Sequence, residues 1–372
     1  MKDDEYFMRL ALHESRKARA ISSPNPNVGA VIVKNNRVIS AGFTSNYGGP
    51  HAEVVAIKNS PVPVKNATMY VTLEPCSHFG KTPPCADLII KHKFKRVVIG
   101  IKDVNPVVCG NGIKKLKKAG IEVKTGVLKK QIENELQWFI KYISKKTVYI
   151  TLKSGVSLDG KITDYKGASK WITSNESLKL SQKLREENDG IIAGINTVLK
   201  DNPNLTYRGR RNKSIFYRII FDSSLKIPLS ANVLKPVKNH KTVIITSKNM
   251  LNTPKAEKIR NDDVIVIDVP SSNGLLSVTE TVKKLYKMKI SKLILEGGAE
   301  LNYSFLKAGI VDKIILFIAP VLLGGKSSKG FIGGQGFNLL NSVKVYNGRF
   351  INEANNDFIF EGVINRYVYR CN

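Results

Sequence analysis

The stretch His51-Ala52-Glu53, followed along the chain by Pro75-Cys76 and by Cys85, predicts a metal site and with it the fold of the amino-terminal half. His51 offers an imidazole nitrogen, and the two cysteines offer thiolate sulfurs. Three such ligands leave one tetrahedral position of a zinc ion open, which is typical of catalytic zinc sites. We therefore predict that His51, Cys76 and Cys85 bind Zn²⁺.

Glu53 lies two residues past the histidine, where a carboxylate can transfer protons without binding the metal. Zinc lowers the pKa of a bound water to about 7, so hydroxide can attack a carbon that bears an amino group. These residues are the signature of zinc-dependent nucleobase deaminases, which usually space their cysteines as Cys-x-x-Cys. Here eight residues, 77–84, separate the cysteines. A structural site with His78 as fourth ligand is the alternative, but it leaves Glu53 without a role.

Length and composition indicate two globular domains. The chain has 372 residues, of which 42% are hydrophobic, and a domain usually contains roughly 100–200 residues. The longest apolar run, residues 314–323, contains Pro320 and is too short for a membrane span, so it predicts a buried strand. The amino terminus is acidic and lacks the apolar stretch of a secretory signal. Only four cysteines are present; we expect Cys109 and Cys371 to be free thiols in a reducing cytoplasm.

The net charge of +29 is the most unusual bulk property of the chain. Such a charge can indicate nucleic-acid binding, but the basic residues are spread over the whole chain and no stretch interleaves them with aromatic residues. We therefore expect no nucleic-acid partner and no membrane partner. A positive field does help to attract phosphorylated small molecules. The sequence leaves open whether the protein forms a homo-oligomer.

Strand and helix patterns alternate in both halves, which predicts two α/β domains, residues 1–146 and 147–372. Asn35-Asn36 is predicted to be the turn of a β-hairpin. In the first half we expect strands at 28–33, 37–41, 68–73 and 96–100 and helices at 5–20, 51–58, 85–91 and 113–119. In the second half we expect strands at 147–152, 190–193, 218–221, 243–246, 264–267, 292–295 and 313–319 and helices at 177–187 and 279–288.

Residues 24–31, 51–53 and 72–85 together resemble the deaminase half of the RibD family of bifunctional riboflavin biosynthesis proteins, in which the long cysteine spacing is usual. The resemblance implies a cytidine-deaminase-like α/β/α domain with His51, Cys76 and Cys85 as zinc ligands and Glu53 as the catalytic residue. It also implies hydrolytic deamination of 2,5-diamino-6-hydroxy-4-(5-phosphoribosylamino)pyrimidine. Residues 103–106 resemble a family loop usually written Asp-Pro-Asn-Pro, and Val104 departs from it.

The second half contains neither a Gly-x-Gly-x-x-Gly fingerprint nor a P-loop. Instead, an apolar strand runs into Gly297-Gly298 and then into a helical pattern. Two glycines at that point would let a phosphate approach the backbone at the start of the helix. A tight turn without ligand binding is the alternative.

Residues 153–162, 169–173 and 196–208 resemble the reductase half of the same family, whose fold is similar to that of dihydrofolate reductase. The resemblance implies that NADPH reduces the ribosyl chain of 5-amino-6-(5-phosphoribosylamino)uracil to a ribityl chain. The implied cofactor contacts are Gly155, Trp171, Thr197, Asp201, Ser223, Gly298, Ala299, Glu300, Leu301, Asn302, Tyr303 and Ser304. The implied substrate contacts are Ser169, Arg185, Leu205, Arg208 and Glu296.

Paired N–H donors would allow Arg185 and Arg208 to grip a phosphate. Lys153 and Asp159 are the polar residues of this half that we would mutate first. Two other hypotheses remain at this point. One is a nucleic-acid-editing deaminase with an accessory RNA-binding domain, which the charge favours and the cysteine spacing opposes. The other is a deaminase whose second half is an inactive scaffold.

Overall fold

The structure, a computed structural model, describes residues 2–79, 83–106, 108–169, 172–209, 215–354, 356–365 and 367. The chain divides into two units. The first contains Met1–Lys146 and short segments from later in the chain, and the second contains most of Thr147–Arg366. Among the described residues, no helix is both long enough and apolar enough to cross a bilayer.

The first unit is built on a five-stranded sheet whose strand order is β2-β1-β3-β4-β5. Strands β3, β4 and β5 run parallel, and β1 is antiparallel to both of its neighbours. The elements are α1 (Asp4–Arg16), β1 (Gly29–Lys34), β2 (Arg37–Phe43), α2 (Ala52–Lys58), β3 (Thr68–Leu73), α3 (Cys85–Lys91), β4 (Arg96–Ile101), α4 (Asn111–Lys118), β5 (Glu122–Thr125), α5 (Lys129–Glu135) and α6 (Gln137–Ser144).

Local sequence explains where these elements begin and turn. Asp3 caps α1, since its carboxylate accepts a hydrogen bond from the Tyr6 backbone N–H at 2.8 Å. Asn35 and Asn36 have φ values of 52° and 58°, the left-handed conformation that two-residue hairpins require. The predicted hairpin turn is therefore confirmed. Strands β3 and β4 are almost entirely buried, as expected for Val- and Ile-rich parallel strands covered on both faces.

The second unit contains a nine-stranded sheet of order β10-β9-β8-β7-β13-β6-β14-β16-β15 and a small separate hairpin of β11 and β12. All neighbours are parallel from β10 to β14, whereas β16 and β15 add an antiparallel edge. The elements are β6 (Tyr149–Ser157), α7 (Asn175–Glu187), β7 (Gly190–Gly194), α8 (Ile195–Asp201), β8 (Phe216–Phe221), β9 (His240–Ser247), α9 (Pro254–Ile259), β10 (Val264–Val269), β11 (Ser271–Ser272), β12 (Leu275–Leu276), α10 (Val278–Lys287), β13 (Lys292–Leu295), α11 (Ala299–Lys307), β14 (Lys313–Ala319), β15 (Tyr346–Ala354) and β16 (Asp357–Val363).

Every predicted strand has a counterpart in the structure, but several elements are additional. The sequence pattern does not predict strands β15 and β16, because they are only partly buried and lack a strong apolar pattern; Phe350 and Phe358 are exposed. One expectation was wrong: Cys109 is disulfide-bonded rather than a free thiol. Cys371 lies outside the described residues.

Arg218 on β8 is a cation that the fold buries completely. Its side chain is 0% exposed, and Nη2 donates to the Lys235 carbonyl at 3.2 Å. Nε and Nη1 have no hydrogen-bond partner within the described residues, and burial lowers the pKa of Arg218 to about 10. Buried donors without partners cost about 1–3 kcal/mol.

We expect Arg218→Met to raise the thermal midpoint of the second unit by a few degrees, because methionine fills similar volume without polar atoms. Arg218→Lys, which keeps a buried charge, should lower the midpoint. Calorimetry on the two variants measures both shifts. A methionine variant less stable than the lysine variant would contradict this account.

Candidate functional site

The three predicted metal ligands of the first unit come together at the ends of three elements. His51 is the residue before α2, Cys85 is the first residue of α3, and Cys76 follows β3. Their ligand atoms lie within 4.8 Å of one another. His51 Nδ1 is 3.3 Å from Cys85 Sγ and 3.6 Å from Cys76 Sγ.

These separations fit a tetrahedral zinc ion. With Zn–N near 2.0 Å and Zn–S near 2.3 Å, a tetrahedral nitrogen and sulfur lie about 3.5 Å apart. The electrostatics of the cluster also favour a cation. Hydrogen bonding by Cys85 holds the pKa of Cys76 below its usual value, whereas the hydrogen bond with Cys76 and burial raise the pKa of Cys85. A divalent cation between the sulfurs would stabilise both cysteines as thiolates, so the donor set fits zinc.

Glu53 is the second residue of α2 and is only 4% exposed. Burial raises the pKa of Glu53 to about 7, and the neighbouring His51 partly opposes this effect. A carboxyl group that titrates near neutral pH can both accept and donate a proton, which is what general acid–base catalysis requires. Its position beside the metal ligands fits the proton-transfer role predicted from the sequence.

A cavity of about 350 Å³ opens onto this site. Its size suits a small molecule. Its wall includes His51, Glu53 and Cys76 together with polar residues from four other segments, namely Asn25, Tyr47, Asp103, Asn105 and Tyr142. The sequence pattern identifies residues 103–106 only as a loop, without a role in the site. Burial raises the pKa of Asp103 to about 7, and this perturbation at a cavity wall adds Asp103 to the candidate site.

Glu74 holds this loop against the metal site. Its buried carboxylate accepts hydrogen bonds from the backbone N–H groups of Asp103 at 3.2 Å, Gly110 at 2.9 Å and Ile113 at 3.1 Å. The last of these supplies the cap that α4 lacks locally. Because Glu74 lies two residues before Cys76, its side chain holds the cavity wall close to the backbone segment that carries this predicted metal ligand.

Gly112 allows α4 to pack against the same segment. A Cβ atom at residue 112 would lie 2.1 Å from the Pro75 carbonyl oxygen, so backbone would have to move. We expect Gly112→Ala to cost about 1–3 kcal/mol of stability and to reduce zinc content by displacing Pro75-Cys76. Thermal unfolding and metal analysis measure the two effects. Lys114→Ala on the exposed face of α4 is the control, and an unchanged zinc content in Gly112→Ala would contradict the coupling.

A second cavity, of about 1400 Å³, lies in the second unit at the carboxyl ends of β6, β7, β8 and β13. Ligands commonly bind at this edge in parallel α/β sheets. The predicted contact residues that line the cavity are Gly155, Ser169, Thr197, Asp201, Ser223, Glu296, Gly298, Ala299, Glu300, Leu301 and Ser304. Arg185, Leu205, Arg208, Asn302 and Tyr303 are not among the lining residues. Trp171 lies outside the described residues.

Glu296, at the end of β13, is the centre of a charged cluster at this cavity. Arg185 donates two hydrogen bonds to it, from Nε to Oε1 at 2.9 Å and from Nη2 to Oε2 at 2.7 Å. Although burial opposes ionisation, Lys153 and Arg185 lower the pKa of Glu296 to about 2. Burial in turn lowers the pKa of Lys153, whose Nζ lies 5.3 Å from the centre of the Phe317 ring.

In the structure, Arg185 thus forms an ion pair with the Glu296 carboxylate, and its guanidinium is not free to bind a phosphate. Leu205 is 6% exposed and packs in a hydrophobic core, and the Arg208 backbone N–H donates to Gln182 at 3.2 Å. Roles for these residues in substrate binding stay predictions. No local sequence pattern indicates this ion pair, since Arg185 and Glu296 are 111 residues apart.

The turn before α11 has the geometry expected for close approach of a ligand. Nothing lies within 4 Å of a Cβ atom built on Gly298, which lines the cavity. At Gly297, by contrast, a Cβ atom would lie 2.6 Å from Asn302 Oδ1. A side chain at residue 298 would therefore enter the cavity, and one at residue 297 would strike the helix.

Two family models match the chain, one for each unit. Residues 1–101 match the cytidine and deoxycytidylate deaminase zinc-binding region, and residues 148–349 match the RibD C-terminal domain. With the folds and cavities above, these matches define a zinc-dependent deaminase joined to a reductase of the dihydrofolate-reductase-like type.

Whole-chain comparisons narrow this class. The riboflavin biosynthesis protein RibD of Aquifex aeolicus is 43% identical over 330 residues, which cover 89% of this chain and 90% of that protein. RibD of Escherichia coli is 37% identical and covers 86% of this chain, with 89% of its own length matched. A solved Thermotoga maritima diaminohydroxyphosphoribosylaminopyrimidine deaminase/5-amino-6-(5-phosphoribosylamino)uracil reductase is 35% identical, covers 97% of this chain and 99% of that chain, and superposes with a TM-score of 0.82.

The chain belongs to the RibD family of riboflavin biosynthesis proteins. The predicted family, both predicted fold types and the bifunctional deaminase–reductase activity are thereby confirmed. Similarity through both units does not favour the nucleic-acid-editing alternative.

Proposed function

We propose that the first unit removes an amino group from 2,5-diamino-6-hydroxy-4-(5-phosphoribosylamino)pyrimidine by hydrolysis. We further propose that the second unit uses NADPH to reduce the ribosyl chain of the deaminated product. The proposal rests on one observation: each unit has a cavity whose lining residues suit one of the two reactions. One cavity of about 350 Å³ borders a His-Cys-Cys cluster and Glu53, and one of about 1400 Å³ borders a Gly-Gly helix start and a charged cluster.

In the deaminase unit, His51, Cys76 and Cys85 would hold zinc, which when bound supplies a water of lowered pKa at neutral pH. Glu53 would move one proton from the attacking water to the ring nitrogen, and then a second proton from the newly added hydroxyl group to the departing ammonia. Its pKa of about 7 suits both directions of transfer. Asp103 and Asn105, on the wall of the same cavity, offer the pyrimidine substrate hydrogen-bonding groups.

In the reductase unit, the cofactor supplies a hydride when bound, and the protein must supply a proton to the sugar oxygen that leaves the ring carbon. Lys153 is the candidate donor, since it lines the cavity beside Glu296 and burial lowers its pKa. Glu296 remains ionised, and Arg185 fixes the plane of its carboxylate through two hydrogen bonds. We propose that the phosphates of the dinucleotide bind at the Gly297-Gly298 turn and the start of α11, since free backbone N–H groups at a helix start favour anions.

One experiment tests both halves. The purified protein is incubated with the diaminopyrimidine substrate, and ammonia release and NADPH oxidation are followed separately, with and without NADPH. We expect ammonia release in both conditions and NADPH oxidation only after ammonia has appeared. Ammonia without NADPH oxidation would instead support the hypothesis that the second unit is an inactive scaffold. Retention of RNA by the protein at moderate salt would revive the editing hypothesis.

A further inference from the structure

Residues 321–334, here called the strap, form one wall of the larger cavity. Lys329, Gly330, Ile332 and Gly333 of the strap line that cavity. Within the described residues the strap contains no helix and, apart from a single β-bridge at Gly330, no strand pairing. Other contacts must therefore hold it in place.

The loop that follows β6 holds one side of the strap. The carboxylate of Asp159 accepts hydrogen bonds from the backbone N–H groups of Leu323 at 3.1 Å and Gly324 at 2.8 Å. With the Ser157 hydroxyl, which also donates to Asp159 at 2.6 Å, these bonds lower the pKa of Asp159 to about 2. Backbone bonds continue the attachment, because Ile162 donates to the Lys329 carbonyl at 2.8 Å.

Helix α11 holds the other side. Asn302 is 0% exposed, and its Nδ2 donates to the Phe331 carbonyl at 2.8 Å. Glu300 Oε1 accepts from the Gly334 backbone N–H at 3.1 Å. Gly334 has φ of 63°, and a Cβ atom there would lie 2.1 Å from the Tyr303 ring, so glycine lets the strap pack directly on the helix.

We infer that Asp159 and Asn302 are positioning residues that hold the strap across the cavity and thereby set its affinity for the dinucleotide. The inference rests on the reductase function proposed above. Neither residue lines the cavity, whereas four residues of the strap do. Asn302 also lies beneath the Gly297-Gly298 turn, and its backbone N–H donates to the Gly298 carbonyl at 3.0 Å. It therefore contacts both the strap and the turn where the phosphates are expected.

A loosened strap should weaken binding more than turnover. If the strap is less often in place, the apparent affinity falls by the fraction of molecules that are competent. Once the dinucleotide is bound, the strap is ordered again, and Lys153 and Glu296 are unaffected. The expected signature is therefore a raised KM for NADPH with kcat nearly unchanged.

The test uses Asn302→Leu, which keeps the side-chain volume and removes the donor to Phe331. We expect KM for NADPH to rise about tenfold, the effect of losing roughly one hydrogen bond, with kcat within about twofold. Trypsin should cut more quickly after the exposed Lys326 and Lys329, and NADPH should slow this cleavage. Asn365→Leu is the matched control, since Asn365 Nδ2 donates to the Gly309 and Val311 carbonyls at 3.0 and 2.7 Å outside the cavity lining.

Asp159→Asn is a second variant, at an exposed position, and it tests the role of the strap if Asn302→Leu does not fold. It should raise KM in the same direction, and the double variant should show less than the product of the two effects because both act on one segment. Unchanged KM and unchanged trypsin cleavage in these variants would overturn the inference, as would a loss confined to kcat. Failure of the wild-type protein to oxidise NADPH would instead refute the reductase proposal.

Discussion

Glu53→Gln should retain zinc and lose deamination by roughly 10³-fold, because the amide cannot take the proton from water or deliver it to ammonia. The substitution preserves the size of a side chain that is only 4% exposed, so the fold and the three ligands should be undisturbed. Ammonia release measures the activity, and metal analysis measures the zinc content. Reduction of substrate that has already been deaminated should proceed at the wild-type rate.

Glu133→Gln is the matched control for this prediction. Glu133 is likewise buried in the first unit, at 7% exposure, but it does not line the cavity. Its replacement should leave ammonia release unchanged. A Glu53→Gln protein without zinc would show that the carboxylate supports the metal site, and equal losses in both variants would point to destabilisation rather than lost proton transfer.

Glu296→Gln should have the largest effect in the second unit, on both stability and reduction. The glutamine leaves Lys153 and Arg185 without a counter-charge, and breaking a buried ion pair costs about 3–5 kcal/mol. The pKa of Lys153 should fall further, since Glu296 is the group that raises it. Fewer molecules would then carry the proton that reduction needs, and NADPH oxidation should fall by at least about 100-fold.

The pH dependence of stability distinguishes this mechanism from simple misfolding. The pKa of Glu296 is depressed from 4.5 to about 2, so its contribution is fully present above pH 4.5 and is lost as pH falls towards 2. The stability difference between wild type and Glu296→Gln should shrink over that interval in urea unfolding. Glu361→Gln is the control for activity. Glu361 pairs with Lys313 at 2.9 Å, which lowers its pKa against the effect of burial, so its contribution to stability should also depend on pH. It does not line the cavity, so NADPH oxidation should be unchanged. A difference that is constant with pH would contradict the ion-pair account.

The sequence sufficed to predict that His51, Cys76 and Cys85 come together, because residue type and spacing over a short stretch indicate the cluster. His51 and Cys85 each lie at the start of a helix. In the sequence, helix-breaking residues precede both of them, Gly48-Gly49-Pro50 in one case and Pro83-Pro84 in the other. Strands β3 and β4 were equally predictable, since their apolar runs are buried on both faces. Residue type and spacing carried the information in each case.

Contacts between distant segments could not be predicted in this way. Arg185 was expected to meet a phosphate, because a guanidinium on a helix offers paired donors to any anion. Which anion it meets depends on how α7 packs against the end of β13, and no local pattern encodes that packing. The same limit applies to Asp159, which was chosen as a polar candidate from its motif. Its partners, Leu323 and Gly324, lie some 160 residues later and present only backbone N–H groups.

The residues that line the two cavities determine how the two activities can evolve. Among the described residues, those that border the smaller cavity all lie before residue 147, and those that border the larger one all lie after it. A substitution that abolishes one chemistry therefore need not touch the walls of the other. Because the two sets of lining residues occupy separate stretches of the sequence, substitutions can alter the two steps one at a time, although one gene encodes both.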